Sequence, residues 1–289
     1  MDSYTDCWYH SSDGLRLYAR DYHCRNLENL NPETVLCMHG LTRNSADFAS
    51  LANHLCERYR VIAVDQRGRG RSDYDPVAAN YTPMTYVQDM FTLLDQLKIT
   101  EVILVGTSMG GLMSMLMAAI QPQRISKMII NDIGPEVDPR GLERIESYVG
   151  KSGPVNSWDE AVAQCRSVNS MAFPDFSDEQ WLDFTQGVYR EEDGVPVLAY
   201  DPAIAQAMQD KESGAVPPNL WSVFEKSVAI PMLVVRGADS DILSRECVEG
   251  MRGRHSGLVV AEIPHRGHAP TLTEPASLVA IDTFLAGLT

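Results

Sequence analysis

A repeated unit most constrains what this chain can fold into: a short run of apolar, largely β-branched residues that ends in Gly, Asp or Asn and gives way to a helical pattern. Such runs lie at 34–38, 61–65, 102–106, 127–131, 232–236 and 258–263, with helical patterns at 46–57, 85–97, 109–120, 245–251 and 275–285. Strands that are apolar throughout are buried on both faces, and strand–helix alternation joins them in parallel. An Asp13-Gly14 turn between the stretches at 6–10 and 15–20 predicts an antiparallel opening hairpin. The expected fold class is α/β: a mostly parallel eight-stranded sheet with helices on both faces.

The alternation stops between 136 and 225, where helix-start signals multiply. Ser157-Trp158-Asp159-Glu160 and Ser177-Asp178-Glu179-Gln180 read as capping boxes, and Asp201-Pro202 as an N-cap followed by a first-turn proline. The expected organisation is a core formed by 1–135 and 226–289 and a helical insertion at 136–225, with Pro217-Pro218 marking the return to the sheet. The insertion holds 17 acidic and 6 basic residues, so it carries −11 of the chain's −15. That reads as a solvated acidic exterior that aids solubility, the alternative being a mouth whose field mildly repels anionic substrates. Its large apolar residues, Trp158, Met171, Phe173, Trp181, Phe184, Trp221 and Phe224, are expected mainly to form its own core, with two or three facing a cleft.

With 24 Lys and Arg against 39 Asp and Glu, the chain lacks the basic footprint of a nucleic-acid or anionic-membrane binder. The six cysteines form no C-x-x-C pair and no histidine stands at zinc-finger spacing, so neither a metal nor a redox centre is expected. No apolar run is long enough to span a bilayer, and residues 1–12 hold no basic cluster or signal-length apolar stretch. A reduced, cytoplasmic protein is the expectation.

One strand-to-helix junction carries a chemical signature. Gly106-Thr107-Ser108-Met109-Gly110 reads G-x-S-x-G directly after one apolar run and directly before a helical pattern. A serine exposed on so tight a turn needs neighbours without colliding side chains, which Gly106 and Gly110 supply. Ser108 is therefore the candidate nucleophile, and the helix behind it aims its first amides at developing negative charge. A hydroxyl is a weak nucleophile near neutral pH and needs a base, itself oriented by a third group. His268, in a Gly-flanked loop after the last strand run, is the candidate base; His265, at the strand end, is the alternative. For the acid, the loop after 232–236 offers Asp239 and Asp241, and Asp132 follows the run at 127–131.

Met38-His39-Gly40-Leu41-Thr42, Asp65-Gln66-Arg67-Gly68-Arg69-Gly70-Arg71-Ser72, the serine motif, Arg236-Gly237-Ala238-Asp239-Ser240-Asp241 and Gly267-His268 follow one another in the order of the α/β-hydrolase fold superfamily. Over almost its whole length the chain resembles the lid-bearing serine hydrolases of that superfamily, related to esterases and carbon–carbon bond hydrolases. The resemblance implies that the insertion, falling after the sixth strand, is a lid. It implies Asp241 as the acid, four residues beyond Gly237 and ahead of Ile242-Leu243, with Asp239 a turn residue. Some relatives take the acid from the end of the sixth strand, which keeps Asp132 open. It also implies an oxyanion hole made by the backbone amides of Met109 and Leu41, with His39 a hydrogen-bonding scaffold residue and Arg43 and Asn44 minor candidates for substrate contact. Arg67, Arg69 and Arg71 lack the companion signatures of a phosphate-binding loop, and the resemblance makes their loop scaffold.

The implied activity is that of a cofactor-free serine hydrolase, a carboxylesterase cleaving small to medium esters through an acyl-enzyme on Ser108. The alternatives are hydrolysis of a carbon–carbon bond in β-diketone-like ring-cleavage products, lactone hydrolysis, or a ligand receptor built on a hydrolase scaffold. Relatives that cleave carbon–carbon bonds usually carry Asn before the serine, whereas this chain has Thr107. The expected partner is a small-molecule ester, and the patterns leave substrate and oligomeric state open.

Overall fold

The computed structural model describes residues 4–26, 28, 31–209 and 219–288, so the expected Pro217-Pro218 junction lies outside the described residues. In chain order the strands are β1 (Thr5–His10), β2 (Arg16–Tyr22), β3 (Thr34–Met38), β4 (Arg60–Asp65), β5 (Val102–Thr107), β6 (Ile125–Asn131), β7 (Tyr189–Glu192), β8 (Val195–Leu198), β9 (Met232–Gly237) and β10 (Leu258–Ile263). Eight of them form one sheet in the order β1-β2-β4-β3-β5-β6-β9-β10. β1 and β2 pair antiparallel, β2 joins β4 antiparallel, and the strands from β4 to β10 run parallel.

The parallel strands inside the edge strand β10 are buried on both faces because their side chains alternate between two apolar layers. Leu36, Ile62, Leu104 and Ile130 pack with α2 (Pro83–Gln96) and α3 (Met109–Ile120) on one side. Val35, Val61, Ile103 and Val105 pack with α1 (Ala49–Leu55) and α10 (Pro275–Leu285) on the other. The helix expected over 46–57 is shorter and broken. The Asn44 side chain accepts from the Ala46 amide and starts a tight turn over Ser45–Phe48, and only then does α1 begin. Helix α2 starts earlier than expected, because Thr82 caps it and Pro83 takes the first turn.

Between β6 and β9 the chain leaves the sheet as α4 (Pro139–Tyr148), α5 (Trp158–Asn169), α6 (Asp178–Gln186), the β7–β8 pair, α7 (Ile204–Gln209) and α8 (Trp221–Phe224), before α9 (Arg245–Arg254) resumes the alternation. The capping box at Ser177 is complete, whereas at Ser157 the Glu160 carboxylate accepts from Asn156 instead. The insertion is not purely helical. β7 and β8 pair antiparallel around Asp193 and Gly194, both at positive φ (50° and 81°), the geometry of a tight two-residue hairpin turn. The strand at β7 reads Tyr-Arg-Glu-Glu, so no apolar run announces it, although Asp193-Gly194 is a hairpin signal.

The insertion is tied to the core at specific points. Gly70 donates to the Ala199 carbonyl, Asp201 to the Gly68 carbonyl, and the Tyr81 hydroxyl to Asp201. These bonds fasten it to the segment between β4 and α2.

Candidate active site

β5 ends at Thr107 and α3 begins at Met109, leaving Ser108 alone at the bend with φ 53° and ψ −114°. A side chain with a Cβ seldom adopts that conformation, so neighbouring bonds must impose it. The Ser108 amide donates to the Asn131 carbonyl (2.9 Å), and the Ser108 carbonyl accepts from Gly111 (2.8 Å) and Leu112 (3.1 Å). The flanking glycines are required by backbone contacts. A Cβ on Gly106 would stand 2.2 Å from the Gly110 carbonyl oxygen, and one on Gly110 2.0 Å from that of Met38. The turn therefore presses α3 against β3 and β5 with its serine facing out.

His268 reaches back from the loop after β10. Its Nε2 lies 2.8 Å from Ser108 Oγ and its Nδ1 2.9 Å from Asp132 Oδ2. An ionised carboxylate only accepts, so Nδ1 carries the proton and Nε2 is the acceptor that faces the serine hydroxyl. Asp132 is fully buried at the end of β6 in a left-handed conformation (φ 56°), which turns its side chain toward β9 and the histidine loop. Its carboxylate also accepts from the Gly237 amide (2.8 Å) and the Ser240 hydroxyl (2.6 Å). Three donors thus compensate its burial.

Asp241, the acid implied by the family pattern, is not against the imidazole. Arg144 of α4 holds it by a two-point ion pair. Burial works against its charge, but the guanidinium outweighs this and keeps the carboxyl below the ordinary carboxylate range. Asp239 is exposed, its amide bonded to the Arg266 carbonyl, and His265 is exposed too. The loop after β9 nevertheless serves the site through Ser240, a residue the sequence reading passed over. Ser240 accepts from the Ile242 and Leu243 amides, which leaves its own proton for Asp132. Nothing short of the folded loop signals that role.

The loop after β3 faces Ser108. A Cβ on Gly40 would fall 3.8 Å from the serine Cβ, a measure of how closely this backbone approaches. Fully buried His39 donates from Nδ1 to the Gly40 carbonyl (2.6 Å) and accepts from the Gln66 amide at Nε2 (3.0 Å). In a planar trans peptide the carbonyl and the next amide point opposite ways, so fixing Gly40 O orients the Leu41 N–H. Burial pushes His39 down to about 3, and neutrality is what this donor–acceptor pair requires. Met109, as the first residue of α3, has an amide with no acceptor inside the helix.

A sequence profile described as the alpha/beta hydrolase fold matches residues 33–244. The chain belongs to the α/β-hydrolase fold family. It is 37% identical over 266 residues to a 3-hydroxybutyrate-oligomer hydrolase of Cupriavidus necator, with 89% of each chain covered. It is 29% identical over 252 residues, 87% of each chain, to a 2-(acetamidomethylene)succinate hydrolase of Mesorhizobium japonicum. A crystal structure of an α/β hydrolase from Novosphingobium aromaticivorans superposes with a TM-score of 0.92 at 39% identity and covers 99% of both chains.

In this α/β hydrolase, Ser108 and His268 open onto a cleft of about 980 Å³ between the strand ends and the insertion. Phe173, Phe176 and Phe184 form one wall, the first two stacked with centroids 4.4 Å apart. Of the aromatic and thioether residues singled out in the sequence, Phe173 and Phe184 line the cleft, whereas Met171 is 87% exposed. Arg43 also lines it, stacked 4.1 Å from the Phe184 ring and paired with Asp47. Arg266 is paired with Asp175 and Glu274. Asn44 is turned away, its side chain donating to the Gly187 carbonyl.

Proposed function

We propose that this hydrolase is a serine carboxylesterase acting on short esters of hydroxy acids. The observation that carries the reading is the continuous relay from Ser108 Oγ through His268 to Asp132. Ser108 Oγ attacks the ester carbonyl while its proton passes to His268 Nε2, and Asp132 stabilises the imidazolium that results. The tetrahedral oxyanion is received by the amides of Leu41 and Met109. His268 then returns the proton to the leaving alcohol, and water, deprotonated by the same nitrogen, releases the acid from Ser108. In this assignment Asp132 takes the part that the family pattern implies for Asp241.

The insertion acts as a lid whose underside sets the substrate. Gln164, Asn169, Gln180 and Thr271 also line the cleft, which suits a substrate carrying oxygens along its length better than a plain alkyl chain. The likeness to the Cupriavidus necator hydrolase, named for 3-hydroxybutyrate oligomers, supports that class. Thr107, at the position where the carbon–carbon bond hydrolases that the chain resembles usually carry Asn, argues against that alternative reading.

The test is hydrolysis of p-nitrophenyl esters of graded chain length and of 3-hydroxybutyrate dimer and trimer by wild type and Ser108→Ala. Serine-dependent release of 3-hydroxybutyrate, faster than turnover of unsubstituted esters of similar length, is expected. Equal rates would remove the hydroxy-acid preference, and no serine-dependent turnover of any ester would overturn the esterase reading.

A further inference from the structure

Arg69 is completely buried, and among the described residues none of its hydrogen-bond partners is a carboxylate. Its Nε donates to the Leu41 carbonyl (2.8 Å), and Nη1 donates to the Arg67 carbonyl (2.8 Å) and the Tyr86 hydroxyl (2.9 Å). Nη2 lies 3.8 Å from the Met109 sulfur, and the guanidinium stacks 4.8 Å from the Tyr86 ring. Its neighbour Arg67 is the contrast, contacting Asp13, Asp75 and Asp89. A buried cation without a contacting counter-ion is expensive, and a scaffold brace would be better built from neutral groups.

The geometry explains the placement. Arg69 touches both residues assigned above to the oxyanion hole, the backbone of Leu41 and the side chain of Met109. His39 fixes the peptide before Leu41 and Arg69 the peptide after it, so the Leu41 amide is held from both sides. Its positive charge also stands in a dry region behind these amides, where a fixed charge acts more strongly than in water. We propose that Arg69 is a positioning residue for the oxyanion hole, orienting the Leu41 amide and adding buried positive charge behind the site where the transition-state oxygen becomes negative. This rests on the serine esterase reading and gives a function to an arginine that the motif alone assigned to scaffold.

The experiment compares wild type, Arg69→Met, Arg69→Lys and Ser108→Ala on p-nitrophenyl butyrate. Thermal unfolding establishes that each is folded, and inhibition by phenylboronic acid, which adds to a serine hydroxyl as a tetrahedral anion, supplies a second readout. Arg69→Met is expected to lower kcat about 10- to 100-fold, short of the ~10²–10³ for deleting an oxyanion donor outright, with KM within about twofold. Boronate inhibition should weaken by a similar factor. Arg69→Lys keeps a charge but one ammonium cannot serve all three oxygen acceptors, so the same signature at about fivefold is expected, and it decides the matter if Arg69→Met does not fold. Folded variants with unchanged kcat and boronate inhibition, or with loss confined to KM, would overturn the proposal while leaving the esterase reading intact. Absence of serine-dependent turnover and of boronate inhibition in wild type would overturn both.

Discussion

Arg144 on α4 grips Asp241 through two bonds, Nε to Oδ2 at 2.5 Å and Nη2 to Oδ1 at 2.9 Å, joining the insertion to the loop after β9. The carboxylate that the family pattern singles out is thereby committed to a guanidinium, while Asp132 on the adjacent strand faces His268. The two acids are separable by mutation. Asp132→Asn removes the acceptor that fixes the imidazole tautomer and is expected to lower kcat by about 10³–10⁴. Asp241→Asn should leave kcat within about threefold. Steady-state kinetics of the two folded variants decide, and the reverse order of losses would return the acid role to Asp241.

The same ion pair makes a different prediction for its arginine. Ile145 and Tyr148 of α4 line the cleft, and a Cβ on Gly141 would stand 2.4 Å from the Asp241 carbonyl oxygen, so α4 sits directly on that loop. Arg144→Met should raise KM severalfold with kcat changed less than about twofold, as loss of uniform binding requires. Because the folded Asp241 carboxyl titrates below its ordinary value, the pair's contribution is complete above about pH 4 and lost as pH falls further. At neutral pH the KM effect should not vary with pH.

His39 couples the loop after β3 to acid stability. Its folded value of about 3 lies below the ordinary imidazole value of about 6.5, so between these the unfolded chain binds a proton that the native protein refuses. Stability therefore rises with pH across that window, falling by about 1.4 kcal/mol per pH unit as acidification passes through it and levelling off below it, from this group alone. His39→Gln should be less stable at pH 7, having lost the fitted donor–acceptor pair, yet show a shallower fall from pH 6 to pH 4. Urea unfolding at several pH values measures the slopes, and parallel curves would refute the assignment.

Two glycines in helices should respond oppositely to alanine. In Gly110→Ala the new methyl meets the Met38 carbonyl at 2.0 Å, backbone against backbone, and a loss beyond about 4 kcal/mol or failure to fold is expected. Gly253 in α9 has nothing within 4 Å of the same position among the described residues, and Gly253→Ala should stabilise by about 0.5–1 kcal/mol. Chemical denaturation of both variants is the check.

Much of the architecture is written locally. The apolar runs became β3, β5 and β9 nearly to the residue, because a strand buried on both faces must be apolar throughout and its ends must turn. The elbow at Ser108 is equally local, since Gly106 and Gly110 answer contacts made within and beside one turn. β7 escaped notice because a short strand outside the main sheet needs no apolar run, and its Glu191 and Glu192 face solvent.

The choice among Asp132, Asp239 and Asp241 was not local. All three stand just beyond the ends of adjacent parallel strands, where any of them is a plausible neighbour for a histidine arriving from β10. What decides is the positive φ of Asp132, the Ser240 hydroxyl donated from the next loop, and Arg144, which lies 97 residues from Asp241 in the chain and beside it in space. Residues a few positions apart set the strands of the main sheet, the elbow and the candidate groups, whereas the β7–β8 pair outside that sheet carries no such run. Only the tertiary structure decided which charges pair, because a carboxylate's partner is set by distances between chain segments that residue spacing does not contain.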